Sequence, residues 1–170
     1  MTDGDPSRWL PIAAAVLALL AASSGFAANL RVAQSQATRS TAIILATRAA
    51  DAYGEYDERS VKQHVYEAAL VGTADPKRAG LLRSVAQHEA TAKAPLLRAA
   101  RSLDQQSRAE DVRAGRLLES HEILAVSATL FEIAIVLVSA AALVKSRLLP
   151  ISAAIATVVA LAIATWGFFF

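Results

Sequence analysis

The stretch HEILAVSATLFEIAIVLVSAAALVKSRLLPISAAIATVVALAIATWGFFF, residues 121–170, decides the fold of this chain. It contains two apolar runs of about twenty residues, the length that a helix needs to cross a hydrocarbon core of roughly 30 Å. A short turn with Lys145, Arg147 and Pro150 separates the two runs. Because a helix satisfies its own backbone hydrogen bonds in lipid, the stretch predicts a transmembrane hairpin.

The composition of the whole chain agrees with a small membrane protein. Of its 170 residues, 55% are hydrophobic, and none is cysteine. The lack of cysteine excludes disulfides, zinc–thiolate sites and thiol catalysis. The formal net charge is only +2, with no basic run among aromatic residues, so nucleic acid is not expected as a partner. The alternating patterns typical of strands are absent as well, and the sequence therefore predicts an all-α chain.

A third apolar run extends from Leu10 to Leu30. Small residues recur in this run at alternating steps of four and three, at Ala14, Ala18, Ala21, Gly25 and Ala28. The last apolar run has a similar seam, at Ala153, Thr157, Ala160, Ala164 and Gly167. Such seams let helix backbones approach closely in lipid, which favours a retained transmembrane helix. The alternative is a cleaved signal peptide ending near residues 25–27, but Asp3 and Asp5 offset the single arginine before the run.

Residues 31–120 are the only segment suited to water. Two apolar series there keep the three–four spacing of a helix face, namely Leu45, Ala49, Ala52, Tyr56, Tyr66 and Leu70, then Leu82, Val85, Ala92, Leu96, Ala99, Leu103 and Leu117. Asp75 and Pro76, a typical N-cap and first helical residue, mark a turn near 72–76. We therefore expect two antiparallel helices forming a stalk of roughly 60 Å, kinked or broken at Pro95. Because a two-helix hairpin buries little surface, we expect it to oligomerise.

These patterns together predict an all-α membrane protein with three transmembrane helices and a long extramembrane antiparallel helical hairpin between the first and the second. The predicted segments are a cytoplasmic tail at 1–9, transmembrane helices at 10–30, 121–145 and 151–170, the hairpin at 31–120 and a short basic loop at 146–150. Short loops rich in lysine and arginine stay in the cytoplasm, which places the stalk outside. Arginines near the spans on the stalk side oppose this orientation, but segments longer than about 60 residues translocate largely regardless of charge.

The run RAADAYGEYDERSVKQHVYEAAL at 48–70 resembles the signature of a bacterial membrane family known as domain of unknown function 4337. The matching positions are Tyr53, Tyr56, Ser60, Val61, Lys62, Gln63 and His64. Residues 57–59 differ from the family's Gln-Ala-Lys. The stretch 121–149 is also similar to the family's second membrane segment, with Glu132 where a glutamine is usual. The resemblance implies an N-terminal span, a helical hairpin and two C-terminal spans in the bacterial inner membrane, with a periplasmic stalk in the orientation above, and it implies no activity.

Glu132 is the most informative polar residue, because it lies near the middle of the second span. An ionisable group at that depth costs about 2.5 kcal/mol or more. Thr129 and Ser139 share its helix face, so this face is expected to meet protein or water rather than lipid. The favoured interpretation is a neutral carboxyl bonded to a neighbouring helix, and the alternative is a proton or cation site.

A second polar face lies on the first stalk helix, at Tyr53, Asp57, Ser60, His64 and Glu67. If the hairpin turns near residue 74, His88 comes opposite Ser60 and near His64. The two histidines, with Glu67 or Asp57, could then bind a divalent metal. A polar layer that fixes helix register is the favoured interpretation, and no metal or cofactor is predicted. The residues predicted for an oligomer interface are Tyr53, Tyr56, Ser60, Lys62, His64 and Tyr66.

The sequence shows neither a Ser/His/Asp arrangement nor a phosphate-binding glycine loop, so an enzyme is not expected. We expect an oligomeric inner-membrane structural or interaction protein, as a homo-oligomer or an accessory subunit of a larger membrane complex. The alternative is a small ion conduit or proton-coupled transporter subunit that uses Glu132. Three spans with one ionisable residue make a poor pathway unless several copies assemble.

Overall fold

The computed structural model describes residues 6–144 and 148–169, with side chains from Trp9 onward. These residues form three α-helices and no strand, which confirms the prediction of an all-α chain. The helices are α1 at Pro6–Val71, α2 at Pro76–Leu143 and α3 at Leu148–Phe169. Lys145 and Arg147 of the predicted basic loop lie outside the described residues, as do residues 1–5 of the predicted tail and Phe170.

Each of the three helices contains a stretch that is long and apolar enough to cross a membrane. Length and composition therefore agree with a protein of three membrane spans. Helices α1 and α2 contain 66 and 68 residues, about three times what a bilayer requires. Both helices therefore have extensive segments beyond their apolar stretches.

The break between α1 and α2 falls where the sequence places a turn. Helix α1 ends at Val71, and the Thr73 amide donates to the Leu70 carbonyl at 3.2 Å. The Asp75 carboxylate accepts a hydrogen bond from the Lys77 amide at 3.0 Å. Asp75 is thus the N-cap of α2, satisfying one of the amides that the first turn leaves unpaired.

Two prolines lie within helices, where the sequence predicted a kink or break at Pro95 and a loop at Pro150. Helix α2 continues through Pro95 without a break; Pro95 lacks an amide donor for the carbonyl of Thr91, but it lies on the exposed side of the helix, where water can reach that carbonyl. Pro150 was expected in the loop but lies in the first turn of α3. The first four amides of a helix have no intrahelical partner in any case, so proline is tolerated there.

The chain divides into two compact units. Met1–Ala37 and Arg113–Phe170 form one, called here the three-helix unit, and Thr38–Val112 forms the other, called the two-helix unit. Helices α1 and α2 each contribute residues to both units.

The three-helix unit has a core of large and small side chains taken from all three helices. The buried members of this core are Leu17, Phe131, Ala134, Val138, Ala153 and Ala160. The buried residues of α3 are Ala153, Ala160 and Gly167, which all belong to the seam of small residues seen in the sequence. A Cβ atom on Gly167 would lie 2.8 Å from Ile123 Cγ2. The close contact between α2 and α3 therefore requires glycine at this position.

The buried apolar residues of the two-helix unit are all alanines, Ala42, Ala49, Ala86 and Ala100. The larger residues of the predicted stripes in this unit, such as Tyr56 and Leu96, lie around them and are half-buried. Ala99 was expected on the inner face but is exposed, and its neighbour Ala100 is buried instead. The two helix segments of this unit thus meet over small side chains.

Serine hydroxyls link α1 and α2 by donating to backbone carbonyls. In the two-helix unit, Ser107 donates to the carbonyl of Ala42 at 2.9 Å. In the three-helix unit, Ser35 donates to the carbonyl of Ala114 at 2.8 Å. The buried residues Ala28, Ser35, Ala42 and Ala49 follow one another at intervals of seven along α1. This spacing keeps small residues on one face of a helix that packs along a partner.

Candidate functional site

Glu132 lines a groove between α1 and α2 in the three-helix unit, with a volume of about 610 Å³. We call this the Glu132 groove; its walls are Ala18, Ala21, Ala22, Gly25, Phe26, Asn29, Ala128, Glu132 and Ile135. The Glu132 side chain is exposed on the surface of the chain, and it makes no hydrogen bond or ion pair within the described residues. The face predicted to meet protein or water is therefore not covered by the chain itself.

The other polar residues predicted on this face satisfy themselves locally. Thr129 donates to the carbonyl of Ala125 at 3.0 Å, and Ser139 donates to the carbonyl of Ile135 at 2.8 Å. Hydroxyls that bond to their own helix can face lipid at little cost. Unlike Thr129 and Ser139, Glu132 makes no hydrogen bond to its own helix.

A polar layer joins the two helices of the two-helix unit. The Arg59 guanidinium contacts Glu55 on its own helix at 3.0 Å and Glu89 on α2 at 3.3 Å. The hydrogen bond with Glu55, followed by the charges of Glu55 and Glu89, raises the pKa of Arg59 above its ordinary value. Glu55 holds the guanidinium in place on α1, and the salt bridge from Arg59 to Glu89 fixes the register of α1 against α2.

Lys93 completes the layer from the side of α2. Its ammonium group donates to the Ser60 hydroxyl at 3.4 Å and lies 5.7 Å from the centre of the Tyr56 ring. This distance is within the range of a cation–π contact. Tyr56 and Ser60 are therefore both engaged by α2 of the same chain.

Gln63 and Glu67 form a local network at the end of the same face. The Gln63 amide donates to Glu67 Oε1 at 2.6 Å, and His64 Nδ1 lies 3.0 Å from Glu67 Oε2. These contacts, first that of Gln63 and then that of His64, lower the pKa of Glu67 below its ordinary value. The side-chain oxygen of Gln63, Oε1, is buried without a hydrogen-bond partner among the described residues. Burying such an oxygen away from water costs about 1–3 kcal/mol.

The two histidines considered for a metal site are both exposed. The Arg59–Glu89 salt bridge agrees with the expected level of His88 opposite Ser60, but Ser60 contacts Lys93 and His88 is exposed. The face of α2 towards α1 is formed by Ala86, Glu89 and Lys93, and His88 lies about 100° away from Glu89 around the helix. Among the described residues, no three His, Asp or Glu side chains are grouped closely enough to hold a metal ion.

The residues predicted for an oligomer interface divide into two groups. Tyr53, Tyr56, Ser60 and Tyr66 are half-buried in the two-helix unit, whereas Lys62 and His64 are exposed. Lys62 pairs with Glu58 one turn earlier on the same helix. The run that resembles a family signature thus contributes both to the packing of this unit and to its outer surface.

Sequence reasoning missed the residues that set the register. Glu89 and Arg59 stood out only as charged interruptions of the apolar stripes, and two opposite charges at facing positions were the available signal. Ser35, Ser107 and His121 carried no signal, because each bonds to a backbone carbonyl. The His121 ring contacts the carbonyl of Ala28 at 3.0 Å, and no side-chain pattern in the sequence reveals such an acceptor.

Comparison with known proteins gives one match. A family model described as Domain of unknown function (DUF4337) matches residues 7–170. No curated protein and no solved structure matches the chain.

Proposed function

We propose that this chain, which belongs to the DUF4337 family, is an oligomeric structural or interaction protein of the bacterial inner membrane. In this proposal the three apolar stretches cross the membrane, and the segment between the first two forms an extramembrane hairpin. The hairpin is the part that meets other proteins. The proposal includes neither a catalytic site nor a cofactor.

The alanine core of the two-helix unit is the observation that carries the proposal. The fully buried apolar residues of this helix pair are all alanines, and larger residues such as Tyr56 and Leu96 are only half-buried. The pair therefore gains less from the hydrophobic effect than one that fully buries large side chains. The same unit exposes large apolar residues, with Ile43 66% exposed and Val61 63% exposed. Apolar surface of this kind marks a site for another protein when it is contiguous. A second copy or a partner subunit would supply the burial that the unit lacks.

The hairpin arrangement is supported by contacts within the two-helix unit. Ala42 contacts Ser107, and Arg59 contacts Glu89, so residue numbers rise on one helix as they fall on the other. Antiparallel helices show this order. The salt bridge and the Lys93–Ser60 contact stabilise one register, as a rigid scaffold requires.

The mass of the native complex tests this function. The full chain is extracted from its native membrane in a mild detergent, and the particle is measured by native mass spectrometry. We expect a mass of two or more copies, alone or with a companion subunit. A particle of one chain at all protein concentrations would contradict the proposal.

The orientation is tested by chemical labelling of a cysteine in the hairpin. The chain has no cysteine of its own, so Ser84→Cys introduces a single reactive group on an exposed position. With the hairpin outside the cytoplasm, as the sequence predicts, a membrane-impermeant maleimide added to cells with a permeable outer membrane labels this cysteine before lysis. Labelling only after lysis would invert the orientation.

The unpaired Glu132 favours a second candidate function, a small ion conduit or proton-coupled transporter subunit. Several copies would have to assemble their Glu132 grooves around one pathway. In reconstituted vesicles, such a conduit gives a pH-dependent flux that Glu132→Gln abolishes while the oligomer persists. The structural proposal instead expects no flux above empty vesicles, and a nearly silent Glu132→Gln, because interhelical hydrogen bonds are worth only about 0.6 kcal/mol on average.

A further inference from the structure

We infer that the Glu132 groove is the place where α1 of a second copy of this chain docks, parallel to the first, inside the membrane. The inference rests on the membrane insertion and oligomerisation proposed above, and it adds the surface, the partner and the direction of packing. The docked helix covers Glu132 and shields it from lipid.

Two glycines show that the exposed small residues of α1 around Gly25 do not pack against another helix of the same chain. On α3, a Cβ atom at Gly167 would lie within 2.8 Å of Ile123, so that seam is filled by α2. On α1, a Cβ atom at Gly25 would meet nothing within 4 Å. The seam around Gly25 is therefore open, although its residue types are those that permit close helix packing in lipid.

The seam that lines the groove lies on a single face of α1. Ala18, Ala22, Gly25 and Asn29 follow one another at steps of four, three and four, and all four line the Glu132 groove. Neighbouring Ala14 and Ala21 are half-buried, while Ala18 and Ala22 are exposed. One helix can thus lie along this face over about 16 Å, at a rise of 1.5 Å per residue.

The two polar groups of the groove point to an occupant of the same sequence. Asn29 is exposed and, like Glu132, has no hydrogen bond or ion pair within the described residues. The side-chain amide of Asn29 carries both donors and an acceptor, so it can hydrogen-bond to the same amide of a second copy at the same depth. Two parallel copies related by an axis along the membrane normal bring Asn29 against Asn29, as an asparagine does at the seam of a coiled coil.

Glu132 fits the same arrangement. It projects from α2 beside the seam, so a helix docked on the seam lies against its carboxyl group. In lipid an unpaired carboxyl is costly, and the docked helix replaces the lipid beside Glu132 with protein. An interface of this kind is isologous, because each copy contributes the same patch.

Cysteine cross-linking tests the docking. Because the chain has no cysteine, Ala22→Cys and Ser23→Cys can be compared in the full chain reconstituted in lipid vesicles. Ala22 lies on the seam, and Ser23 is exposed about 100° away on the same helix. Under oxidation Ala22→Cys is expected to form a disulfide-linked dimer at least about ten times as efficiently as Ser23→Cys, since a disulfide needs Cα atoms within about 7 Å.

A bulky substitution gives an independent test. Gly25→Leu has open space within the chain, so the helices still form, but the side chain blocks the docked helix. We expect the dimer to weaken by about tenfold or more, measured by energy transfer between labelled chains in vesicles, with Ser23→Leu as the matched control. Circular dichroism of both variants reports whether the helices are intact.

The outcomes separate this inference from the proposed function. An oligomer that persists in Gly25→Leu, with equal cross-linking at positions 22 and 23, places the interface elsewhere; it overturns the inference but keeps the oligomeric function. A chain that is monomeric in vesicles before any substitution overturns both. Selective cross-linking at Ala22, lost when Gly25→Leu is added, supports both.

Discussion

The two units of this protein are packed in different ways. The three-helix unit buries Phe131, which is 1% exposed, together with Leu124, Leu17 and Val138. In the two-helix unit the fully buried apolar residues are all alanines, and a polar layer forms around Arg59 and Glu89. The first unit owes its specificity to shape, since large side chains fill defined spaces. The second owes its specificity to polar contacts between helices whose apolar burial is slight.

This difference predicts that the two units differ in local stability. A core with Phe131 and Leu124 can hold three helices together within one chain. A pair of helices with an alanine core has low local stability, and segments of low stability are those that change on binding. The substitutions below test this contrast in order of decreasing effect.

The largest effect is expected for Phe131→Ala. Phe131 belongs to the core where all three helices meet, and its removal leaves a cavity that close-packed helices cannot fill. We expect a loss of about 3 kcal/mol in the free energy of unfolding. This value is at the lower end for such a change, because the Phe131 side chain stays in apolar surroundings when the helices separate in a micelle. Equilibrium unfolding in mixed detergent micelles measures it.

Phe168→Ala is the matched control, because Phe168 is 64% exposed on α3. It should change the unfolding free energy by less than about 0.5 kcal/mol. Equal effects at the two positions would remove the distinction between a packed core and an exposed apolar surface in the three-helix unit.

The next effect is expected from adding one methyl group to a glycine. Gly167→Ala places a Cβ against the stiff, β-branched Ile123, and overpacking of this kind costs about 2 kcal/mol. Gly54→Ala adds the same group in the two-helix unit, where nothing lies within 4 Å. There the better helix propensity of alanine should stabilise by about 0.8 kcal/mol. The same unfolding titration measures both variants. If both substitutions stabilise the chain, or both destabilise it, the contrast between the two units is contradicted.

A smaller loss is expected from Tyr56→Ala in the two-helix unit. Tyr56 is half-buried rather than fully buried, so the cost is about 1.5 kcal/mol, roughly half that of a buried aromatic residue, including the contact with Lys93. Hydrogen exchange of the amides near Tyr56 and Lys93 reports the change locally. Tyr56→Phe keeps the ring and should exchange as the parent does; an equally large change there would assign the effect to the hydroxyl.

The smallest effect concerns pH. The contacts with Gln63 and His64 lower the pKa of Glu67 in the folded chain. They therefore stabilise the folded chain above the pKa of glutamate in the unfolded chain, about 4.3. This stabilisation is lost as the pH falls through the lower pKa of the folded chain. Thermal unfolding followed by circular dichroism between pH 7 and pH 3 should show this loss. Glu67→Gln removes this contribution to the pH dependence, and an unchanged curve in that variant would assign the loss to other carboxylates.

The sequence predicted the parts of the fold that depend on strong hydrophobic contrast. The seam of α3 was visible because Ala153, Ala160 and Gly167 stand out among large apolar residues. The seven-residue series through Ser35 and Ala42 was missed, because alanine and serine are common on every face of these helices. The groove at Glu132 was foreseen only as a face that must avoid lipid, since its walls come from two helices whose relative rotation no local pattern specifies.

The seven-residue series also bears on how such proteins can diverge in length. Ala42 and Ala49 are equivalent positions of one repeat, and the bond from Ser107 to Ala42 uses a backbone carbonyl, which every residue possesses. Inserting seven residues into each helix of the two-helix unit would restore the same facing positions and lengthen the pair by about 10 Å. The length of the two-helix unit can therefore change in steps of seven residues without new contacts between its helices.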